Sequence, residues 1–277
     1  VSIVLSMWSI PASRKGIEVL QSDGSSLLVY PHGDEHFHWI ENSQGEWLEK
    51  DNNGMYHVVE PLSSEAIAQM RINSPRHIEQ QTQKSFPLNI APRGLVILVS
   101  FADKAFATEK AEMDSMMLGA HYTRSYQYRY LNQVYKISSQ GSARQYFYDS
   151  SFGQYNPQFD VIGPVTISNN MEYYGQNDNR GYDKYAGTMV KEACLVADTA
   201  YDIDFSQYDN NKDGKVDFVY IIYAGYGEAD SYIENTIWPH AYKLSYDKIN
   251  VMIDGKKIDS YACGNEINYM SKLHDGI

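Results

Sequence analysis

The densest set of metal-binding groups in this sequence runs Asp209-Asn-Asn211-Lys-Asp213-Gly214-Lys215-Val-Asp217. Asp209, Asn211 and Asp213 alternate, so a tight loop can turn three side-chain oxygens towards one point. Gly214 supplies a turn that a residue with a Cβ resists, the Lys215 carbonyl offers another oxygen, and Asp217 completes the set. Hard oxygen donors carrying three negative charges suit calcium better than zinc, which takes nitrogen and sulfur. The twelfth position, where an EF-hand needs a bidentate glutamate, is Tyr220. It sits in the apolar run from Phe218 to Tyr223, which reads as a buried strand. The expectation is a calcium loop feeding a strand, not an EF-hand.

The histidines and cysteines raise three further chemistries. His32-Gly-Asp-Glu35-His36 matches H-x-x-E-H, an inverted zinc motif that works only where both imidazoles share a helix face. Pro31, Gly33 and the alternating residues around them favour strands and a turn, so a structural role is expected there. H-E-x-x-H itself occurs nowhere among the eight histidines. Cys194 or Cys263, with His240 or His274 as base, would be a thiol mechanism. Cys194, however, falls inside a helical stretch, where cysteine is ordinarily a small buried residue. The two cysteines could instead form one bridge in an oxidising compartment, or both stay free. His240 in Trp238-Pro-His and Glu228 in Tyr-Gly-Glu flank the calcium strand. A capped turn and a solvated loop end account for them as well as a cleft does, so neither is given a catalytic role.

The elements that must position these groups follow from periodicity. Residues 17 to 60 alternate in short runs broken by Gly24, Gly45 and Gly54, the pattern of antiparallel hairpins. A short helix is expected from Ser64 to Arg71. The proline-flanked, Gln-rich stretch from Ser74 to Pro87 suits an exposed linker with basic residues open to processing. The composition then shifts: Gly94-Leu-Val-Ile-Leu-Val-Ser-Phe101 is a central-strand run. Helices are expected from about Thr108 to Leu118, from Ser142 with its Ser-x-x-Gln capping box, and from Gly187 to Thr199 with Met189, Ala193, Val196 and Ala197 on one face. Phe159 to Ile167 reads as a strand interrupted by Gly163-Pro164. The order implies an α+β fold with α/β character.

Composition bounds the rest. At 277 residues the chain can hold one large domain or two modest ones, and its formal charge of −12 argues against nucleic acid or anionic membrane as principal partner. Of the 24 tyrosines, 12 cluster from Tyr122 to Tyr185, which points to a wet, loop-rich region. The apolar stretch Val1 to Ala12 is too short to span a bilayer and reads as the remnant of a secretory signal peptide. Export follows, to the extracellular space or cell surface.

Taken together, the second half resembles the immune inhibitor A family of secreted bacterial zinc metallopeptidases. The matching blocks are Arg93-Gly-Leu-Val-Ile-Leu-Val-Ser-Phe-Ala-Asp103, Gly141-Ser-Ala-Arg-Gln-Tyr-Phe-Tyr-Asp-Ser-Ser-Phe-Gly153, Phe205 to Asp217, Val219 to Glu228, and Thr236-Ile-Trp-Pro-His240. At the front, the Ile10-Pro-Ala12 junction and His32 to Trp39 resemble that family's pro-region. The resemblance implies a signal remnant at 1–12, a β-rich pro-region at 13–73, a linker at 74–92, and the first part of a zincin-type catalytic domain at 93–277. It implies an endopeptidase precursor acting on proteins or peptides, with structural calcium and catalytic zinc. One departure is large. The zinc helix with its H-E-x-x-H is missing and is expected beyond a lead-in like His274-Asp-Gly-Ile277, which would leave these 277 residues inactive and without zinc ligands of their own. His32, Asp34, Glu35, His36 and His38 then become candidates for a pro-region block on the zinc of a longer precursor. A different class of reading is a calcium-stabilised secreted binding or adhesion module with no chemistry.

Overall fold

The computed structural model describes residues 12, 15–34, 36–73, 91–130, 133–179 and 181–269. Most of the expected signal segment, residues 74–90 of the linker expected at 74–92, Glu35, His77 and His274 lie outside the described residues. Ala12 is described: its N–H donates to the Gly33 carbonyl at 2.9 Å, and its side chain is buried beside Ala229 and Trp238.

The front of the chain forms an antiparallel meander of β1 (Ile17–Leu20), β2 (Ser26–Asp34), β3 (Phe37–Glu41), β4 (Trp47–Lys50) and β5 (Tyr56–Val59), paired in sequence order. Side chains alternate in strands, so Ile17, Val29, Ile40 and Leu48 gather on one buried face. The β2–β3 turn depends on Gly33: at φ +94° a Cβ there would lie 2.1 Å from the Phe37 carbonyl oxygen. Helix α1 (Ser64–Ile72) follows, capped by Ser63, whose side chain accepts the Ala66 N–H at 3.2 Å.

The rest of the chain supplies β6 (Arg93–Ser100), α2 (Lys110–Leu118), β7 (Thr123–Tyr130), β8 (Gln133–Gln140), α3 (Ala143–Ser150), β9 (Gln158–Thr166), α4 (Met171–Tyr174), α5 (Ala186–Tyr201), β10 (Val219–Tyr223), α6 (Glu228–Ser231), β11 (His240–Lys243), β12 (Val251–Ile253), β13 (Lys256–Ile258) and β14 (Ser260–Asn265). Five of these strands make one mixed sheet in the order β11-β14-β10-β6-β9, parallel except for the antiparallel edge strand β11. The alternation of β6 decides what covers each face. Leu95, Ile97 and Val99 pack with Met189, Val190, Ala193 and Ala197 of α5, while Val96 and Leu98 pack with Met113, Met116 and Met117 of α2. Both faces of the central strand are therefore buried, which is why its sequence is a continuous apolar run. Each fully buried aliphatic side chain contributes about 1.5–3 kcal/mol through this burial. The chain is accordingly of mixed α and β class, with its parallel strands between helical layers.

Several local expectations differ in detail. Gly163-Pro164 does not interrupt β9: the strand runs through a cis peptide, and the pairing register with β6 shifts between Ile97 and Val99. A Cβ at Gly163 would come within 2.6 Å of the Leu98 carbonyl oxygen, so glycine is what admits the close approach. Ser142 does cap α3, accepting the Gln145 N–H at 3.2 Å, but the Gln145 side chain donates to Asp149 and the reciprocal half of the box is not made. Val196 is only partly buried, and Cys194 takes a place in the core instead. The β7–β8 ribbon was not expected at all.

Candidate functional site

The acidic loop hangs between a 3-10 turn at Phe205–Tyr208 and β10. Asn210 ties it to the sheet, accepting the Arg93 N–H at 2.8 Å and donating to the Arg93 carbonyl at 3.0 Å. At the other end Gly214 accepts the Lys257 N–H at 3.0 Å and Val216 donates to the Lys257 carbonyl at 2.9 Å, so β13 forms the second wall. Gly214 sits at φ +87°, a conformation that residues with a Cβ rarely adopt.

Within this frame Asp209 accepts the Asp213 and Gly214 N–H groups, each at 3.0 Å, and its Oδ2 also takes the Lys256 ammonium at 2.7 Å. Asn211 accepts the Asp213 N–H at 2.9 Å, and Asp213 accepts the Lys215 N–H at 2.9 Å. Asp217 is turned to Asn210, whose backbone and side-chain N–H groups both reach its Oδ2 at 2.8 Å. Burial pushes the Asp209 carboxyl up, but Lys256 and the two amides more than offset that and hold it below the ordinary value. Asp217 goes the other way: burial raises it, Asn210 opposes, and the Asp213 and Asp209 charges add to the rise. The donors are the hard oxygens that calcium takes. They do not converge as they stand, because Lys256 supplies the counter-charge and Asp217 faces Asn210. Tyr220, the position an EF-hand would need, lies inside β10.

A second cluster lies under the edge strand. His240 is buried opposite Cys263 in the β11–β14 pairing. Its Nδ1 is 2.6 Å from the Trp238 carbonyl oxygen and its Nε2 is 3.0 Å from the Tyr261 hydroxyl. A carbonyl can only accept, so Nδ1 carries the hydrogen in this network. Cys263 Sγ, 3.6 Å from that same nitrogen, therefore faces an N–H and not a base. Cys194 is wholly buried, which pushes its thiol up to about 12. Neither cysteine is in a disulfide, and both are buried; neither has the exposed, activated setting of a nucleophile. Glu228 is likewise buried at the start of α6, accepting from Asn177 Nδ2 at 3.1 Å, so of the alternatives weighed for it the solvated loop end is not the one found.

One residue that sequence reasoning missed is Glu266, fully buried just past β14. Its carboxylate accepts the Ala107 N–H at 2.8 Å, the Thr108 N–H and hydroxyl, and the Gly225 N–H at 3.2 Å. It locks two loops at the same end of the parallel strands. A lone Glu in a polar stretch gives no local signal of this.

The histidine-rich turn does not form a helical zinc pair. His32 lies in β2, stacked on Trp39 at 5.4 Å with its Nε2 3.1 Å from Glu41. Asp34 accepts the His36 N–H at 3.0 Å and pairs with Arg71 at 2.8 Å. The turn leans on the second half of the chain: the Tyr182 hydroxyl donates to the His36 carbonyl at 2.7 Å, and the His38 ring stacks on Trp238 at 4.4 Å. Lys50 and Glu234 add an ion pair at 2.9 Å. Trp238 lies two residues before β11, so the front sheet is clamped to the segment that leads into the edge strand.

Zinc finds no fitting ligand set here. Among the described residues no group of three or more His, Cys, Asp or Glu is placed to hold a metal ion, and H-E-x-x-H is absent from the 277-residue sequence. No helix among the described residues is long and apolar enough to cross a membrane.

Residues 90–270 match the family model described as the immune inhibitor A peptidase M6 catalytic domain, a span that takes in β6 through β14. No curated protein matches the chain.

Proposed function

The chain belongs to the immune inhibitor A peptidase family, and from that premise we propose that it is part of a secreted, zinc-dependent endopeptidase precursor. Membership makes it a metallopeptidase with protein or peptide substrates. The observation that carries the finer reading is the match itself, which covers the whole mixed sheet and both helical layers.

In this reading zinc is held by residues outside the described set, since the groups present do not fit it. No catalytic step is derived through the metal from these residues. What they contribute is a rigid support: the parallel sheet, the Glu266 lock on the loops at one end, and an antiparallel edge strand anchored by His240. Calcium is the proposed structural cofactor, taken by Asp209, Asn211, Asp213, the Lys215 carbonyl and Asp217. The support for it is donor chemistry: hard oxygens in a glycine-turned loop, with carboxylates close enough to push the Asp217 carboxyl up.

Residues 13–73 are proposed as a pro-region, and export is supported by the apolar composition of residues 1–12. The contacts of His36 and His38 with Tyr182 and Trp238 support a front sheet that covers the catalytic part. His32, Asp34, Glu35, His36 and His38 are the positions through which it would block the metal. Replacing all five with alanine in the full translation product should release latency; unchanged latency would remove the block from the proposal.

The main test compares casein hydrolysis and bound zinc for this 277-residue chain and for the full translation product of its gene. Phenanthroline-sensitive hydrolysis and stoichiometric zinc are expected only in the latter. Chelator-sensitive hydrolysis by the 277-residue chain would overturn the assignment.

A further inference from the structure

The β7–β8 ribbon plays no part in the sites above. Its strands pair with each other in register from Thr123 opposite Gln140 to Tyr130 opposite Gln133, and neither pairs with a third strand among the described residues. A two-stranded ribbon is marginally stable alone in water. Both outer edges carry the row of backbone N–H and C=O groups that another extended chain can pair with. Proteins commonly blunt such edges with charged side chains, lysine above all, and here the charge is of one sign. Residues 123–140 contain Arg124, Arg129 and Lys136 and no acidic residue. No Asp or Glu occurs between Asp114 and Asp149, in a chain with 35 acidic residues and a net charge of −12.

The surface beside this ribbon is also unusual in what it exposes. The Gly141 N–H donates to the Tyr122 carbonyl at 2.7 Å, closing the ribbon directly onto the cap of α3. Val134 and Tyr135 on β8, Tyr146 and Tyr148 on α3, and Phe152 just beyond it are all exposed, Phe152 by 90%. Lys136 is exposed on β8, whereas Arg124 is engaged with Glu112 at 3.5 Å. Aromatic faces and backbone edges bind extended polypeptide well, and the cations select which polypeptide.

We propose that the β7–β8 ribbon and the exposed aromatic residues that follow it form a docking surface for an acidic, extended segment of a polypeptide substrate. Calling that polypeptide a substrate rests on the peptidase reading; the binding does not. A backbone-paired third strand is favoured over a polysaccharide because the outer edges, which pair with no third strand among the described residues, are complementary to another polypeptide backbone. Three cations in 18 residues are also sparse for a polyanion carpet. Adding a strand would offset the marginal stability of the ribbon, so binding and ordering would reinforce each other.

The test uses the 277-residue chain in chelator, which keeps hydrolysis out of the measurement. A labelled dodecapeptide alternating Glu with Thr and Val is titrated by fluorescence anisotropy. Its comparators are the same peptide with Gln for Glu, and the acidic peptide N-methylated at every second residue. Saturable binding of the acidic peptide is expected, roughly tenfold weaker for either comparator. Lys136→Glu should weaken it roughly fivefold to tenfold without changing the far-ultraviolet circular dichroism. No binding, equal binding of the Gln peptide, or an unaffected Lys136→Glu chain would overturn the proposal. Undiminished binding of the N-methylated peptide, or its full replacement by heparin, would also overturn it in favour of a plain polyanion surface. Loss of peptidase activity in the full translation product with binding intact would leave this surface standing and remove only the word substrate.

Discussion

Replacing Lys256 with methionine tests the proposed calcium loop at its weakest joint. The ammonium lies 2.7 Å from Asp209 Oδ2; the carboxylate is 1% exposed and the lysine 26%. Breaking a fully buried ion pair costs about 3–5 kcal/mol because one charge is left without compensation. Here the lysine side is partly open and Asp209 keeps the Asp213 and Gly214 amides, so a cost of about 2 kcal/mol is expected without calcium. In a chain of this size that lowers Tm by about 4–8 °C. Saturating calcium should cancel this difference. In the wild type the ion must displace the ammonium from Asp209, and in Lys256→Met it need not. The same 2 kcal/mol then returns as roughly thirtyfold tighter calcium binding. Thermal unfolding in chelator and across a calcium titration reads both numbers, and Lys256→Arg, which keeps the charge, should stay near wild type. An unchanged Tm in chelator, or calcium that binds the methionine variant no better, would refute the argument that the ammonium stands in for the ion.

Two further outcomes follow from the same structure. Asp217 has its carboxyl raised by burial and by its acidic neighbours, so the native state holds that proton more firmly than the unfolded chain does. Stability is therefore lost as pH rises from the ordinary carboxylate value through the raised one. Asp217→Asn should raise the calcium-free Tm at neutral pH, lose that advantage near pH 4, and cut the calcium-dependent rise; an equal gain at both pH values would count against the charge argument. Limited proteolysis of the folded chain should cut first between Arg71 and Arg93, where proline-flanked polar sequence joins the two parts. First cuts elsewhere would oppose a separable front unit.

What could be read from the sequence was whatever chemistry is written locally. β6 announces itself because both of its faces are buried, and α5 because Met189, Ala193 and Ala197 recur at helical spacing on its buried side. The front hairpins are legible because alternation and glycine turns coincide. The β7–β8 ribbon carried the same period in Tyr126, Tyr128 and Tyr130, yet tyrosine is apolar at its ring and polar at its tip, so alternation with Gln and Arg gave no sharp contrast between inside and outside.

Long-range pairings had no such script. Asp209 meets Lys256 and Glu266 meets Thr108 across 47 and 158 positions, and nothing beside either carboxylate marks the partner. The clamp of His38 on Trp238 is the strongest case. Each ring alone fits an ordinary local reading, one a strand residue and the other a turn before proline. Only their stacking at 4.4 Å joins the histidine-rich turn to the entrance of the edge strand. The proposed block by the front sheet therefore depends less on the H-x-x-E-H spacing than on this contact. His38→Ala should loosen the front sheet even with His32, Asp34 and His36 left in place, because stacking on a buried indole contributes about 0.5–1.5 kcal/mol beyond area alone. Hydrogen exchange across β2 and β3 measures that loosening, and protection unchanged from wild type would show that the sheet is held by other contacts.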